Sequence, residues 1–510
     1  MSWNMLPRQI RNDVLARVVE TAYSNDEPLA GYASVSRDWQ AFFEQHTFCS
    51  LDVTPGDLDM FETSFQEPGR RRCLQRVGLV LDLPQHPPIR LHNDRGTTEE
   101  ETALLLMRRL WDGGPRASFY PPELSHQKTL DDMALVFGIS SLFGLLATWT
   151  RHQVSSHGVA LEIIADSKSY WQRMAERMRR YGGIPAIPGM PVPSPWVLSS
   201  TQFPATFFSL SQYDWQGPVC AAQEDFNFEL GLNHGGAPME PTRSSATRGC
   251  RQWFPSVSVI SAMSVLRRTV RRFHPDALGA IIWSLPCLRM LDWQLRPLVA
   301  CKSKRPLDLD IVHVLFSLPV SLRHLHITQV HTYLIRYWRG DYEPDGVLFR
   351  IIWYRLSELK SLSLEYDGHT LESYMANSTT LWPNLESLIL SAKGSIGDSP
   401  THDLNRLVRN AAYMVLRTPR LRSMMLYDTT GRGVGCFTCR FEEDTLALRF
   451  KCSWFFVPDA DSMASWRDTA VALGIQNIAW DSEIAGISHI IEYINGVRIR
   501  IPILMGGDEL

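Results

Sequence analysis

The chain has 510 residues, 45% of them hydrophobic and 21% charged. That is a globular composition in a chain longer than one ordinary domain, so two or three units or one elongated repeat array are expected. With 51 basic against 54 acidic residues and a net charge of −3, the sequence carries no electrostatic footprint for nucleic acid or for an anionic membrane surface. It also lacks the uninterrupted apolar run of about 18 residues that a bilayer span requires.

The first fifty residues read as a pair of helices. Ile10, Val14, Leu15 and Val18 recur at helical spacing, with Pro7 suited to the first turn. Leu29, Tyr32, Ala33 and Ser36 mark a second helix, and Trp39, Phe42 and Phe43 continue the apolar content beyond it. A unit this small cannot bury so much apolar surface alone, so it needs the rest of the chain or a partner. The order Leu6-Pro7, helix, gap, then Val35-x-Arg37-x-Trp39 resembles an F-box, the helical module that docks onto the Skp-type adaptor of cullin–RING ubiquitin ligases. The resemblance covers residues 6–51 and implies adaptor contacts through Leu6, Pro7, Ile10, Val14, Leu15, Val18, Leu29, Val35, Trp39 and Phe42. The plainer reading of the same residues is a helical hairpin that caps a larger domain.

Residues 77–83 alternate like a strand, as do residues 159–165. Helices are expected over 98–111, opened by Thr97 and Glu100 at capping-box spacing, over 130–149 with Leu135, Leu142, Leu145 and Leu146, and over 170–180. The Pro-rich stretch 184–195 and the Gly/Pro/Ser-rich stretch 233–249 read as surface loops.

From residue 254 to 426 one pattern returns, apolar-x-x-apolar-x-apolar. The copies are Val257-Ile260-Ala262, Leu288-Leu291-Trp293, Leu322-Leu325-Ile327, Leu359-Leu362-Leu364, Leu385-Leu388-Leu390 and Leu421-Met424-Leu426. Pro255, Pro286, Pro319, Pro383 and Pro419 precede five of them, and successive starts lie 31, 34, 37, 26 and 36 residues apart. The last two apolar positions fall on one strand face, and helical stretches such as 275–283, 311–316 and 404–416 separate the copies. A strand and a helix at such a period predict a stacked solenoid. The pattern resembles long leucine-rich repeats of the ribonuclease-inhibitor kind; an α/β enzyme sheet is the alternative. With the leucines inward, the alternating residues form a mostly uncharged ridge: Met290, Asp292, Gln294, His324, His326, Thr328, Ser361, Ser363, Glu365, Ser387, Ile389, Ser423, Met425 and Tyr427. Met290, Asp292, His324, His326, Ser361, Ser363, Glu365, Ile389, Met425 and Tyr427 are the expected partner-binding positions, for a protein or peptide rather than nucleic acid.

Beyond residue 426, Phe437, Cys439 and Phe441 followed by Leu446, Leu448 and Phe450 predict one hairpin. Asn495-Gly496 between Ile490-Glu492-Ile494 and residues 497–501 predicts another. This end reads as a small α+β cap.

No catalytic or metal constellation emerges. Cys436-x-x-Cys439 has no second ligand pair nearby, and in a hairpin its two cysteines face opposite ways. Gly431 to Gly435 precedes a strand, whereas a phosphate loop must open a helix. The arginines Arg267, Arg268, Arg271 and Arg272 read as a solvated helix face.

The expected architecture is therefore α/β: an F-box-like helical module over 1–55, an irregular leucine-rich-like array over 56–435 that is clearest over 254–430, and an α+β cap over 436–510. The layout resembles uncharacterised F-box proteins of filamentous fungi. That implies a substrate-receptor subunit of a Skp–cullin–F-box ubiquitin ligase, which bridges adaptor and an unknown protein target without catalysis, cofactor or metal. The alternative is a solenoid scaffold for a protein partner, unconnected with ubiquitin. Nine scattered cysteines and charged Arg8, Arg11 and Asp13 at the N-terminus suggest a cytoplasmic or nuclear chain with reduced thiols.

Overall fold

The computed structural model describes residues 3–25, 27–82, 122–166, 254–265, 273, 275–295, 314–329, 358–365, 382–391, 400–428, 434–442, 444–486, 489–490 and 493–494. The expectations for 97–111, 170–180, 184–195, 233–249, 267–272, 431–433 and 497–501 lie outside these residues.

Among the described residues, twelve strands form one sheet whose spatial order follows the chain. They are β1 (Ser50–Val53), β2 (Arg76–Asp82), β3 (Val159–Asp166), β4 (Ile260–Val265), β5 (Met290–Leu295), β6 (His324–Gln329), β7 (Ser361–Glu365), β8 (Ser387–Ser391), β9 (Ser423–Asp428), β10 (Gly435–Glu442), β11 (Thr445–Cys452) and β12 (Asn477–Ile484). Strands β1 to β9 pair in parallel, β10 is antiparallel to both β9 and β11, and β12 returns parallel to β11.

Period-two alternation sorts the side chains into two faces. On the apolar face, Leu291, Leu325, Leu362, Leu388 and Met424 stand in register. Trp293, Ile327, Leu364, Leu390 and Leu426 form the next row, and all ten are buried. The first apolar position of each of these copies sits before the strand. Leu288, Leu322, Leu359, Leu385 and Leu421 are buried there, and where a proline precedes, it follows a buried Leu285, Leu318, Trp382 or Thr418. Proline fits this turn because it presets φ and needs no donor.

The register corrects the phase of the first copy. Met263 pairs with Leu291 and Val265 with Trp293, so that copy is Ile260-Met263-Val265, all buried, and Ala262 faces the other way. The same spacing recurs ahead of the six copies, at Leu74-Val77-Leu79, where a strand is expected, and at Phe48-Leu51-Val53, before the expected start of the array. At the entry to β3, Gly158 adopts φ +80°. A Cβ there would lie 2.6 Å from Ser261 Oγ and 2.9 Å from the Val259 carbonyl oxygen, so glycine is required on both counts.

Helices cover the apolar face. They include α3 (Leu58–Ser64), α4 (Pro68–Cys73), α5 (Pro122–Leu146), α6 (Pro275–Trp283), α7 (Pro400–Leu416) and α8 (Ala460–Leu473), following α1 (Arg8–Ser24) and α2 (Arg37–Thr47) in the N-terminal module. Leu135, Leu142 and Leu146 of α5, Leu278 and Ile281 of α6, Leu404, Val408 and Val415 of α7 and Trp466 of α8 join one core with the strands. Helix α8 is held to α7 by polar contacts as well: Trp466 Nε1 donates to the Val408 carbonyl at 3.1 Å, and Ser462 Oγ to the Asn405 carbonyl at 3.1 Å. Among the described residues no helix is long and apolar enough to cross a membrane.

The predicted hairpin over 437–450 is present as β10–β11. Of the one expected around Asn495-Gly496, only part of the first arm lies among the described residues, and it is not a strand. His489, Ile490, Tyr493 and Ile494 are helical, because Ile490 and Ile494, four residues apart, both turn inward and are buried.

Candidate interaction surfaces

The N-terminal module has a core separate from that of the sheet, built from Leu15, Val19, Ala22, Leu29 and Phe43, with Trp3, Val18, Tyr32, Ala33, Trp39 and Phe42 packed around it. Its second helix is divided. Leu29–Ser34 is a 3-10 turn, and Ser36 then caps α2, its hydroxyl accepting the Trp39 N–H at 3.3 Å. A serine oxygen competing for backbone donors starts a new helix rather than continuing the old one. Pro7 precedes α1, its carbonyl accepting the Arg11 N–H.

The ten adaptor-contact positions split by environment. Leu15 and Leu29 are buried, Leu6, Val18, Trp39 and Phe42 half-buried, and Pro7, Ile10, Val14 and Val35 exposed. Leu15 and Leu29 are therefore core residues of the module, corrected from contact positions, because the small unit spends them on its own interior. Ile10 at 47%, Val35 at 61% and nearby Met5 at 74% exposure leave the module with large apolar side chains in water. A shallow groove beside them is lined by Trp3, Val35, Ser36, Arg37, Asp38 and Trp39. The C-terminal end of α2 is joined to the rest by Glu44, which accepts from Arg70 at 2.7 Å, and by Phe48 packed edge-on against Phe65.

The second surface is the polar face of the sheet. One row can be followed through all twelve strands by register: Asp52, Gly78, Glu162, Ser264, Asp292, His326, Ser363, Ile389, Met425, Thr438, Arg449 and Asp481. The ridge positions inferred from the repeat all lie on this face.

Their environments differ along it. On β5 and β6, Met290, Asp292, His324 and His326 are half-buried. His326 Nε2 is 2.8 Å from Thr328 Oγ1, and its Nδ1 is 3.1 Å from Asp292 Oδ1 but off hydrogen-bond direction, which leaves Asp292 Oδ1 without a hydrogen-bond donor. Burial, with Lys360 and Arg323 adding like charge, depresses the His324 pKa to about 4, so it is neutral at pH 7. On β7, Ser361 and Ser363 are buried, and Glu365 follows at the end of the strand, opposite Thr328 of β6.

At β8 and β9 the face is closed, which corrects the expected partner-binding role of Ile389, Met425 and Tyr427. All three are buried in a second apolar cluster with Val434, Cys436, Ile490 and Ile494. These positions interrupt the Ser/His/Asp pattern with large apolar groups, and the chain's own C-terminal helical segment covers them. The Lys451 ammonium sits 4.8 Å above the Tyr493 ring and adds a cation–π contact to the cover.

A polar network on β1 to β3 was not singled out from sequence. Arg76 joins Glu162, Asp52 at 2.9 Å and Ser50 at 3.0 Å. Gly78 lies beside it in the row, where a Cβ would collide with the Asp52 carboxylate. Nothing within a few residues of Arg76 marks it, since its main partner is 86 positions away.

The buried thiols are chemically quiet. Cys436 belongs to the cluster under the C-terminal segment and Cys439 to the main core, on opposite faces of β10. Burial raises the pKa of both, and that of Cys452 to about 12. Among the described residues no group of three or more His, Cys, Asp or Glu side chains is arranged to hold a metal ion.

Fold and surfaces together define a mixed α/β protein with N-terminal helices and a twelve-stranded sheet. Residues 317–495 match the model of a family described as a family of unknown function (DUF6546). That stretch runs from the turn before β6 through the segment that covers β8 and β9. No curated protein and no solved structure matches the chain.

Proposed function

We propose that the chain is a substrate receptor of a Skp–cullin–F-box ubiquitin ligase in the cytoplasm or nucleus, with an F-box at its N-terminus and a leucine-rich-like solenoid behind it. The observation that supports this reading is the division of labour in the N-terminal module. It fills a core of its own with Leu15, Leu29 and Phe43 and still leaves Met5, Pro7, Ile10, Val14 and Val35 in water. An apolar patch on so small a module is an interaction surface rather than unused core. Strand order that follows chain order through β12 supports the solenoid, and the antiparallel β9–β10–β11 turn supports a cap at its end.

The half-buried Met290, Asp292, His324 and His326, with the buried Ser361 and Ser363 and with Glu365 beside them in register, form the ridge that would hold the target. The receptor needs no catalytic group. Tethering a target lysine near the conjugating enzyme raises its effective concentration to about millimolar.

Co-expression with a Skp-type adaptor and co-elution on a sizing column tests the reading. Ile10→Asp with Val35→Asp should abolish a one-to-one complex. Burying each apolar side chain stabilises by about 1.5 to 3 kcal/mol, so losing both weakens binding by two orders of magnitude or more. The melting temperature should hold, because both residues are exposed. A well-folded wild-type chain that forms no complex would remove the ubiquitin reading. It would favour the capping scaffold, which the Glu44–Arg70 and Phe48–Phe65 contacts suit.

A further inference from the structure

Strand β12 is the last strand of the sheet among the described residues. Its Asn477 and Ala485 N–H groups face β11, donating to the Asp444 and Cys452 carbonyls. By alternation, Ile478, Trp480, Ser482 and Ile484 therefore turn both N–H and C=O outward, to an edge with no partner strand among the described residues. Four residues with outward backbone groups along an eight-residue strand are a template for another strand. The side chains at this edge are not those of a blunted one. Ile484 is 61% exposed, Ile478 and Trp480 stand only half-buried on the apolar face, and Asp481 and Glu483 project from the polar face.

The chain supplies a matching strand. Residues 497–504 read Val-Arg-Ile-Arg-Ile-Pro-Ile-Leu, with alternate apolar residues and two arginines between them. In its expected hairpin partner, Ile490, Tyr493 and Ile494 are helical instead. The described chain stops at Ile494, next to Tyr493, whose ring lies under Lys451 of β11, one strand short of the edge. Residues 495–496 suffice to step across about 5 to 10 Å of sheet.

We propose that residues 497–504 dock on the free edge of β12 as an antiparallel thirteenth strand. Arg498 is then opposite Glu483 and Arg500 opposite Asp481. The charged row extends the pairs that β12 already makes, Lys451 with Glu483 at 2.7 Å and Arg449 with Asp481 at 3.8 Å. Val497, Ile499, Ile501 and Ile503 fall beside Ile484, Ser482, Trp480 and Ile478 on the apolar face. The same parity supplies an independent check. Pro502 comes opposite Ala479, whose N–H faces β11, so position 502 is a non-hydrogen-bonded site and its missing donor costs nothing.

Two measurements on the full chain test this. Residues 483 and 498 would form a non-hydrogen-bonded pair with Cα atoms about 4.5 Å apart, within disulfide reach. Glu483→Cys with Arg498→Cys should give an intramolecular disulfide by peptide mass mapping, and Asp481→Ala with Glu483→Ala in the parent chain should loosen the tail to proteolysis. In wild type, the amides of Ile478, Trp480, Ser482 and Ile484 should exchange about 100-fold more slowly than in Arg498→Glu/Arg500→Glu. Rapid exchange of these amides in the wild type would overturn the docking. A covalent dimer linked through 483 and 498 would overturn the intramolecular occupant and assign the edge to a second copy of the chain.

Discussion

Arg76 on β2 reaches across to Glu162 on β3, its Nε 2.8 Å from Oε2, and closes a separation of 86 residues in sequence. Glu162 is 8% exposed and keeps its other oxygen without a hydrogen-bond partner, so Arg76 is the charge that makes its burial tolerable. Arg76→Ala should cost about 2 kcal/mol in urea unfolding, at the low end for a buried pair because the arginine is 31% exposed. Adding Glu162→Gln should restore part of that loss. A double variant as unstable as the sum of the singles would show that the two residues are not coupled.

The sheet was legible wherever one strand face met the core. Leu291, Leu325, Leu362 and Leu388 announce themselves because each repeat must put an apolar residue at the same height. The spacing at Leu74 and at Phe48 is harder to see as a copy, since serine, aspartate and arginine separate the apolar positions and no proline leads in. The first copy was read three residues early because Val257 is itself buried, just ahead of the strand. Ile490-x-x-x-Ile494 fits a strand by residue type and a helix by spacing, and the need to cover Ile389, Met425 and Tyr427 decided for the helix. Which ridge residues are covered depends on chain that returns from about 65 to 100 positions away, and no local pattern carries that.

His324 predicts an acid-limb effect. Its folded pKa of about 4 lies below the usual 6.5, chiefly through burial. The unfolded chain therefore binds the proton more readily, and stability present above pH 6.5 is lost as pH falls towards 4. The loss should reach about 2 to 3 kcal/mol. In His324→Gln the fall between pH 6.5 and 4 should be shallower by that amount; an unchanged slope in thermal melts would rule out His324 as its source.

The cover over β8 and β9 should be energetically visible. Ile490→Ala and Ile494→Ala each remove a buried side chain and should destabilise by about 2 to 4 kcal/mol. Because the cluster is separate from the main core, local opening should precede global unfolding. The amides of Met425 and Tyr427 should then lose exchange protection in these variants while those of Leu291 and Leu325 keep it. Equal loss at all four sites would mean that the cover is no independent unit.

Thiol chemistry separates the cysteines. Cys436, Cys439 and Cys452 are buried with raised pKa, whereas Cys49 and Cys287 are half-buried. A thiol reagent at pH 7.5 should spare the first three in the native protein and modify them after denaturation, since only an accessible thiolate reacts. Rapid native modification of any of the three would contradict the packing of β10 and β11.

Ser36 links the module's stability to its surface. Its hydroxyl accepts the Trp39 N–H at 3.3 Å, and its extended backbone, φ −163° and ψ 169°, ends the 3-10 turn and starts α2. Ser36→Ala should cost about 1 kcal/mol, the usual worth of an N-cap. Trp39 packs on Trp3 and Phe43 at ring-centre distances of 5.6 Å, and the groove beside Val35 depends on that stack. Loosening the first turn of α2 should therefore raise the dissociation constant of any ligand held at Val35 and Trp39 by about threefold to tenfold. Ser36→Asp keeps an oxygen acceptor at the cap and adds favourable charge at the helix N-terminus, so it should restore the melting temperature. If Ser36→Asp melts no higher than Ser36→Ala, the hydroxyl is not acting as a cap.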